Sequence, residues 1–239
     1  SVEGVEFVVP DHWFWPEFKS SGWEPETFNI FKNNINKQTT YIDIGAWIGV
    51  TAIYAYIAGC RNIHAVEANP QSFKILSNII KWNNTLTTIV NLKNICITDT
   101  DNSTVKFGKH TSSASQITPT GQYDVATQRL DSYLKEIECE DHDLFIKIDI
   151  EGSELLLLDC LNNILNANNK VLLALHPPFW KDVISGSNDI ISTLSKFKLY
   201  TVAGEPLSVA TLKSMLTTKE KYPKWGTKFG NFFEIFIES

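Results

Sequence analysis

Short apolar runs alternate with segments of helical periodicity along most of this sequence. The runs have the length and composition of β-strands, and five of them occupy residues 39–44, 63–68, 88–97, 144–150 and 171–176. Apolar positions that recur every three or four residues predict helices over 50–58, from Pro70 onward and over 153–165. Apolar strands separated by helices of this length indicate a mostly parallel sheet with helices on both faces. The predicted fold class is therefore α/β.

The end of the sequence extends this pattern. Residues 198–203 predict a sixth strand, residues 208–217 a helix, and residues 232–238 an edge strand. An aromatic-rich segment over residues 1–38 precedes the first strand and is predicted to form a flank or lid. Residues 39–239 are predicted to form one compact domain, because a chain of 239 residues suffices for a single large core and a split would leave two small halves.

One internal region departs from the alternation. Residues 101–130 contain short β-type runs around the turn-like sequence TPTGQ, which predicts an inserted hairpin. Asp131 follows at a position suited to capping a short helix. This segment is predicted as an addition to the central sheet.

Composition and charge restrict the classes of partner. A formal net charge of −6 and a pI near 5.4 argue against nucleic-acid binding, with one local basic patch predicted at Lys219, Lys221, Lys224 and Lys228. No stretch approaches the ~20 uninterrupted apolar residues that a membrane span requires. Four widely spaced cysteines without a CxxC pair are typical of reduced, buried thiols in a cytosolic protein. A cytoplasmic protein without a membrane span is therefore predicted.

Candidate chemistry begins in the sequence DIGAWIG, at the end of the first predicted strand. Gly45 and Gly49 suit a tight turn from strand to helix, where a ligand approaches the backbone closely. The spacing is GxxxG and not the GxGxxG of dinucleotide-binding turns, and Asp43 precedes it. Because a pyrophosphate favours a helix N-terminus without adjacent negative charge, Asp43 indicates a ligand with a cationic group. S-adenosylmethionine, with its amino acid moiety and its sulfonium, is such a ligand.

Further acidic residues follow other predicted strands. Glu67 ends the second strand, 22 residues beyond Gly45. At this position a carboxylate can accept hydrogen bonds from the two hydroxyls of a ribose. Asp149 and Glu151 follow the fourth strand. Because ligands of open parallel sheets bind at the carboxyl ends of the strands, Asp43 and these three acidic residues are predicted to face one crevice. Burial would raise the pKa of Asp149 unless a cation compensates, which makes it a candidate base; its alternative role is to cap the next helix.

The segments that carry these residues resemble one known family. The chain is similar, over roughly residues 23–176, to the FkbM-type family of S-adenosylmethionine-dependent methyltransferases through YIDIGAWIGVTAIYA, VEANPQSFKILSNIIKWNN, RLDSYL and DLFIKIDIEGSELLLLDC. The resemblance implies a Rossmann-like class I methyltransferase fold, with a seven-stranded sheet whose last strand is antiparallel. It also implies O-methylation of a hydroxyl on a sugar, a polysaccharide or a related metabolite.

The resemblance also implies roles for particular residues. Those implied for S-adenosylmethionine binding are Asp43, Gly45, Ala46, Gly49, Glu67, Ala68, Cys96 and Asp99. Asp43, Gly45 and Gly49 are implied for the methionine part of the cofactor, Glu67 for its ribose, and Cys96 and Asp99 for the neighbourhood of its adenine. The sequence departs from the family where Trp47 replaces the usual Asn, so this side chain either contacts the cofactor or walls the pocket. In LALHPPFW, His176 is retained without the acidic residue that often precedes it.

Methyl transfer to a hydroxyl requires positioning of the reactants and removal of a proton. Asp149 and His176 are the predicted catalytic groups, either of them as the base, with Glu151 orienting the acceptor. His12 and His110 are weaker candidates from segments that border the same crevice. Asp149, Glu151 and His176 also offer oxygen and imidazole ligands to Mg²⁺ or Mn²⁺, so a divalent ion is a second role for this cluster.

Two other functions stay open on the sequence alone. A reductase dependent on NAD would share the acidic residue after the second strand, but the second glycine of GxGxxG is absent and Asp43 is present. A non-catalytic carbohydrate-binding or scaffold protein would use HWFWPEF and PPFW as aromatic platforms. Retention of both Asp43 and Glu67 favours an enzyme that acts on a small molecule or a glycan.

Overall fold

A seven-stranded sheet forms the centre of the molecule. The structure is a computed structural model that describes residues 4–19, 24–108, 115–139, 143–167, 169–222 and 226–239. Its strands, in chain order, are β1 (Thr40–Ile44), β2 (Asn62–Val66), β3 (Val90–Lys93), β4 (Cys96–Thr98), β5 (Thr104–Phe107), β6 (Tyr123–Arg129), β7 (Leu144–Ile148), β8 (Lys170–Leu175), β9 (Lys198–Thr201), β10 (Lys219–Tyr222), β11 (Gly226–Phe229) and β12 (Phe233–Glu238). The central sheet has the order β3-β2-β1-β7-β8-β12-β9, and β10 pairs with β11.

The strands from β3 to β8 in this sheet run parallel, and β12 runs antiparallel to both β8 and β9. The predicted α/β class, with a mostly parallel seven-stranded sheet and an antiparallel last strand, is confirmed. The predicted edge position of residues 232–238 is wrong, because β12 lies between β8 and β9 and β9 forms the edge. Ile235, Phe236 and Ile237 are all buried, as expected of a strand covered on both faces.

The strand predicted over residues 88–97 is divided in two. β3 stays in the central sheet, whereas β4 joins a three-stranded sheet of order β4-β6-β5. Between them, the side-chain amide of Asn94 donates hydrogen bonds to the carbonyl oxygens of Glu67 (2.7 Å) and Ala68 (3.1 Å). This tether turns the chain away from the central sheet, and β4 then pairs with β6.

The predicted hairpin is confirmed, because β5 and β6 pair in antiparallel register. Asp131, however, does not cap the helix that follows. The helix begins at Leu130, so Asp131 lies inside its first turn, and Arg129 occupies the capping position. The carboxylate of Asp131 is paired with the guanidinium of Arg129 at 2.8 Å.

Helices cover the central sheet. They are α1 (Phe14–Lys19), α2 (Pro25–Asn34), α3 (Val50–Ile57), α4 (Pro70–Trp82), α5 (Asn84–Thr87), α6 (Leu130–Glu136), α7 (Leu158–Asn166), α8 (Val183–Leu194) and α9 (Val209–Thr217). Short 3₁₀ helices span Glu154–Leu157 and Pro177–Phe179. The helix predicted over residues 153–165 is thus a 3₁₀ turn followed by α7. The prediction at Pro70 is confirmed, and the side chain of Asn69 caps α4 there by accepting from two backbone N–H groups.

The sheet separates two hydrophobic cores. Ile42 and Ile146 belong to one core and Tyr41 and Phe145 to the other, because successive residues of a strand point to opposite faces. The N-terminal segment packs into the second core: the ring of Phe31 lies 5.4 Å from that of Phe145. The predicted N-terminal flank therefore packs directly against the side chains on one face of the sheet.

The remaining sequence predictions concern cysteines, membranes and basic residues. The four cysteines are free and buried, as predicted. In the part of the chain that the structure describes, no helix is both long and apolar enough to cross a membrane. Of the predicted basic patch, Lys219 is exposed, whereas the side chains of Lys221, Lys224 and Lys228 lie outside the described residues.

Candidate active site

A cavity of about 590 Å³ opens at the carboxyl ends of the central parallel strands. Residues that follow β1, β2, β7 and β8 line it, where an open parallel sheet binds its ligands. The predicted site residues on its wall are Gly45, Ala46, Glu67, Ala68, Cys96, Asp149, Glu151 and His176. Asp43 and Gly49 lie in the same β1 to α3 segment without lining the cavity. The sequence therefore brings residues from four strand ends to one place.

Asp99, unlike Asp43 and Gly49, lies apart from the segments that line the cavity. It lines a separate shallow depression together with Asp159 and Asp189. The reason is the course of the chain: after β3 it leaves the central sheet, so Cys96 still reaches the cavity while Asp99, three residues later, does not. Asp99 therefore does not line the cavity, and its position beside the adenine stays a prediction.

The turn after β1 depends on glycine. Gly45 and Gly49 have φ angles of +89° and +93°, which residues with a side chain rarely adopt. A Cβ atom on Gly45 would lie 1.9 Å from the carbonyl oxygen of Asp149, and one on Gly49 would lie 2.5 Å from Leu76 Cδ1. The two glycines therefore allow this turn to lie directly against the end of β7 and against α4.

Asp43 is completely buried near the end of β1. Its Oδ2 accepts a hydrogen bond of 2.6 Å from the hydroxyl of Thr51, in the first turn of α3. Burial raises the pKa of Asp43 to about 6, although the ammonium of Lys147 and the Thr51 hydrogen bond oppose this shift. The carboxylate thus fixes the geometry of the glycine turn and contributes negative charge beneath the cavity.

Glu67 lies one residue beyond β2 and is buried against the same turn. Its Oε2 accepts a hydrogen bond of 2.8 Å from the backbone N–H of Trp47, and its Oε1 accepts one of 2.6 Å from the N–H of Asn69. Burial raises the pKa of Glu67 to about 7, and the two backbone hydrogen bonds oppose the shift. These contacts hold the carboxylate at the cavity wall in one orientation.

Asp149 follows β7 and is paired with a buried lysine. Lys147 Nζ lies 2.8 Å from Asp149 Oδ2, and the lysine side chain is only 3% exposed. Burial favours the neutral acid, but Lys147 and His176 outweigh this effect and lower the pKa of Asp149. Lys147 therefore supplies the compensating cation, and Asp149 stays ionised. The sequence did not reveal this role of the lysine, because a single charged residue inside an apolar strand is usually interpreted as one that points to solvent from one face of the sheet.

His176 follows β8 and is surrounded by three carboxylates. Its Nδ1 lies 2.8 Å from Glu154 Oε1, while its Nε2 lies 3.6 Å from Asp149 Oδ1 and 3.6 Å from Glu151 Oε2. Burial lowers the pKa of His176, but the hydrogen bond to Glu154 and the negative charges around it prevail and raise the pKa to about 9. Burial also raises the pKa of Glu151 to about 7.

Aromatic side chains form the walls at the mouth of the cavity. Trp47 lines it, with the ring of Phe14 at 5.0 Å and that of Trp13 at 6.3 Å. His12 lies 5.7 Å from Trp47, at the border of the site, and His110 lies outside the described residues. Across the cavity, the ring of Phe232 lies 5.6 Å from His176. Trp47 thus walls the pocket while its backbone holds Glu67.

Two further carboxylates line the cavity that sequence reasoning missed. Glu234 comes from β12, and its Oε2 accepts a hydrogen bond of 2.5 Å from Thr27 Oγ1. Glu24 directly precedes α2 and has a left-handed backbone with φ of 44°. Burial raises the pKa of Glu234, and Lys147 opposes the shift. The signal for Glu234 was a carboxylate inside the apolar run FFEIFIE, whereas Glu24 belongs to the predicted N-terminal flank or lid without having been singled out there.

The fold and the site define a class of protein. A mostly parallel sheet with one antiparallel strand, a glycine turn after β1 and a carboxylate after β2 are the features of the Rossmann-like methyltransferases. The family profile described as "Methyltransferase FkbM domain" matches residues 43–180, more than half of the chain. The chain belongs to the FkbM methyltransferase family, as the sequence motifs predicted. No curated protein matches the chain.

Several solved structures are similar to the chain at low sequence identity. "Methyltransferase FkbM" from Methylobacillus flagellatus KT shares 12% identity with a TM-score of 0.49, over 99% of this chain and 63% of that chain. Precorrin-6y C5,15-methyltransferase from Geobacter metallireducens GS-15 shares 13% identity with a TM-score of 0.48, over 98% and 94%. Trm5 from Methanocaldococcus jannaschii, in complex with adenosine, shares 10% identity with a TM-score of 0.46, over 90% and 47%. The chain spans less than two thirds of the Methylobacillus structure.

Proposed function

We propose that this protein transfers the methyl group of S-adenosylmethionine to a hydroxyl of a sugar, a polysaccharide or a related metabolite. One observation carries the proposal: a single cavity joins the glycine turn and Glu67, on one side, to Asp149, Glu151 and His176, on the other. The first set suits a nucleoside-containing cofactor, and the second suits an acceptor that must lose a proton. A transferase needs both functions within reach of each other.

The residues present fit S-adenosylmethionine. Gly45 lies so close to the end of β7 that no side chain fits there, which leaves bare backbone at the cavity wall for the methionine part. Glu67 is held at the wall by two backbone hydrogen bonds and keeps lone pairs for the two ribose hydroxyls. The negative charge of Asp43 favours the cationic groups of this ligand. When bound, the cofactor supplies an electrophilic methyl group on a sulfonium.

The other end of the cavity suits a hydroxylated acceptor. Carboxylates accept hydrogen bonds from hydroxyls, and aromatic rings pack against the C–H faces of sugar rings. Both kinds of group line the mouth and floor, including Trp13 and Phe232. Because Glu24, Glu151 and Glu234 also line this end, we propose a neutral or cationic acceptor over an acidic one. The net charge of −6 likewise supports a small molecule or a glycan over nucleic acid.

The proposed reaction forms two bonds, from the acceptor oxygen to the methyl carbon and from the proton to a base, and breaks two. With S-adenosylmethionine bound, the acceptor oxygen would bond to the methyl carbon while the carbon–sulfur bond breaks and S-adenosylhomocysteine leaves. The hydroxyl proton passes to Asp149 or His176, and Glu151 orients the acceptor. In the ligand-free protein Asp149 is ionised and can take the proton directly, whereas His176 is protonated at neutral pH and must first lose its own proton to act as the base. We place this chemistry in the cytoplasm, which the four free cysteines support.

Calorimetric titration with S-adenosylmethionine, and separately with NADH, tests the cofactor assignment. Binding of the first alone is expected. Asp43→Ala and Glu67→Ala are each expected to weaken it by about 1 to 3 kcal/mol, since each removes one charged partner. Asp124→Ala is the control, because Asp124 is an exposed carboxylate paired with Lys106 on the hairpin. Unchanged affinity in both site variants would refute the assignment, NADH binding would indicate a reductase, and binding of neither would indicate a non-catalytic scaffold.

Cofactor binding is expected to depend on pH through Glu67. Its pKa of about 7 in the free protein means that acidification protonates the group that should accept the ribose hydroxyls. Between pH 8 and pH 6 the affinity for S-adenosylmethionine should therefore fall by about tenfold, and calorimetry at these pH values measures it. Glu67→Gln should bind more weakly at pH 8 and show a flatter profile.

The stability of the ligand-free protein should change in the opposite direction. The folded-state pKa of Glu67 lies above its unfolded value, so its contribution to stability is fully present at low pH and is lost as pH rises through about 7. Acidification to pH 6 thus increases the contribution of Glu67 to the free energy of unfolding, while it weakens the binding of S-adenosylmethionine. Thermal unfolding of the ligand-free protein at both pH values separates the two effects; a parallel loss of stability and affinity would contradict the assignment.

A further inference from the structure

Three atoms on the floor of the cavity have the spacing of metal ligands. One oxygen each of Asp149 and Glu151, and one ring nitrogen of His176, lie within 4.8 Å of one another. His176 Nε2 lies 3.6 Å from Asp149 Oδ1 and 3.6 Å from Glu151 Oε2. These distances are too long for hydrogen bonds. They match the separation of about 3 to 3.6 Å between neighbouring ligands of an ion bound at about 2.1 Å.

The hydrogen bonding of His176 is typical of a histidine that binds a metal ion. His176 is 8% exposed, and its Nε2 points at the gap between the two carboxylates without a hydrogen bond to any described residue. Its Nδ1 lies 2.8 Å from Glu154 Oε1, and a carboxylate on the second ring nitrogen is the usual outer partner of a histidine that binds a metal through the first. Glu154 is itself fully buried and accepts hydrogen bonds from Trp180 Nε1 (2.8 Å) and the N–H of Gly152 (2.7 Å).

The two carboxylates are also prepared for a cation. Lys147 occupies Oδ2 of Asp149, which leaves Oδ1 directed toward His176. Glu151 has a left-handed backbone with φ of 51°, an unfavourable conformation for a residue with a side chain. Gly152 follows it with φ of +99°, and a Cβ atom there would lie 2.7 Å from Phe179 Cβ. The strained turn directs the Glu151 carboxylate into the cavity, where it lies opposite His176.

We propose that Asp149, Glu151 and His176 together bind one divalent cation, Mn²⁺ in preference to Mg²⁺, and that this cation holds the acceptor hydroxyl. The preference follows from the three protein ligands, because Mg²⁺ gives up its waters reluctantly and is usually bound through only one or two carboxylates. The three residues would then act as ligands, and binding of the ion would release the proton from Nε2 of His176. This role for the ion rests on the proposed methyltransferase function, whereas binding of the ion does not.

The test is a titration of the full chain with Mn²⁺ alone, in which electron paramagnetic resonance measures the concentration of free Mn²⁺. One bound Mn²⁺ per chain is expected, and Mg²⁺ should displace it only at higher concentration. Glu151→Gln should weaken Mn²⁺ binding by at least about tenfold, and Glu154→Gln by about 10- to 100-fold through the histidine. Glu151 is half-buried at the surface of the cavity, so its variant is the one expected to keep the fold.

Asp159→Asn is the matched control, because Asp159 belongs to the separate acidic depression with Asp99 and Asp189. Its Mn²⁺ affinity should equal that of the unmodified protein. The absence of bound Mn²⁺, equal binding in Glu151→Gln, or loss of binding in Asp159→Asn would each overturn the proposed site. Titration with S-adenosylmethionine separates this failure from that of the proposed function: a protein that binds the cofactor but no Mn²⁺ retains the function and loses only the ion.

Discussion

Replacement of Lys147 by methionine is expected to lower the free energy of unfolding by about 3 kcal/mol. The lysine side chain is 3% exposed and its ammonium lies 2.8 Å from Asp149 Oδ2. Asp43 and Glu234 also act on it, and with Asp149 they outweigh the effect of burial and raise its pKa. Methionine fills a similar volume without charge and leaves these carboxylates uncompensated. Breaking a buried pair in this way costs about 3 to 5 kcal/mol, and the 33% exposure of Asp149 places the expectation at the lower end.

Lys106→Met is the matched control for this experiment. Lys106 and Asp124 form an ion pair of 2.9 Å, nearly the same length, but their side chains are 50% and 63% exposed. Its loss should change the stability by less than about 1 kcal/mol. Urea denaturation of both variants measures the difference. Equal destabilisation would mean that burial does not govern the contribution of Lys147.

Gly45→Ala is expected to destabilise the protein by about 2 to 5 kcal/mol and to abolish cofactor binding. The left-handed backbone at φ +89° costs a residue with a Cβ about 1 to 2 kcal/mol. The new Cβ atom would also lie 1.9 Å from the Asp149 carbonyl oxygen, so that the turn and the end of β7 must separate, which adds about 1 to 3 kcal/mol. Thermal unfolding and titration with S-adenosylmethionine measure the two effects.

Gly204→Ala isolates the part of this effect that comes from the backbone. Gly204 has φ of +83°, but apart from its two neighbours in sequence no described residue has an atom within 4 Å of the position of its added Cβ. Only the conformational cost of about 1 to 2 kcal/mol should therefore appear, with normal cofactor binding. If the two alanine variants were equally stable, the contact between Gly45 and Asp149 would not explain the requirement for glycine.

Residues that directly follow apolar strands were predictable from the sequence. Glu67, Asp149 and His176 each end a recognisable apolar run, and parallel strands bring such ends to one edge of a sheet. The same rule failed for Asp99, because it presumes that the strand before it stays in the sheet. The side-chain contacts of Asn94 redirect the chain at this point, and no local pattern indicates a contact between residues 27 positions apart.

Residues supplied by the two ends of the fold were not predictable in the same way. Glu24 and Glu234 reach the cavity only because α2 and β12 pack beside β7 and β8. The order of strands in a sheet is not encoded in the periodicity of any one strand, which is why β12 was assigned to the edge. Lys147 was missed for a related reason: its environment is set by carboxylates from other elements and not by its neighbours in sequence.

The position of β12 between β8 and β9 has a consequence for synthesis on the ribosome. Both neighbours are translated before β12, so each emerges with an unpaired edge and the gap between them must stay open. Exposed strand edges readily pair with other chains. The part of the cavity wall formed by Phe232 and Glu234 also arrives with this strand, after the lining residues that follow β1, β2, β7 and β8. In a nascent chain the cavity therefore stays open on the side of β12 until this strand has been translated.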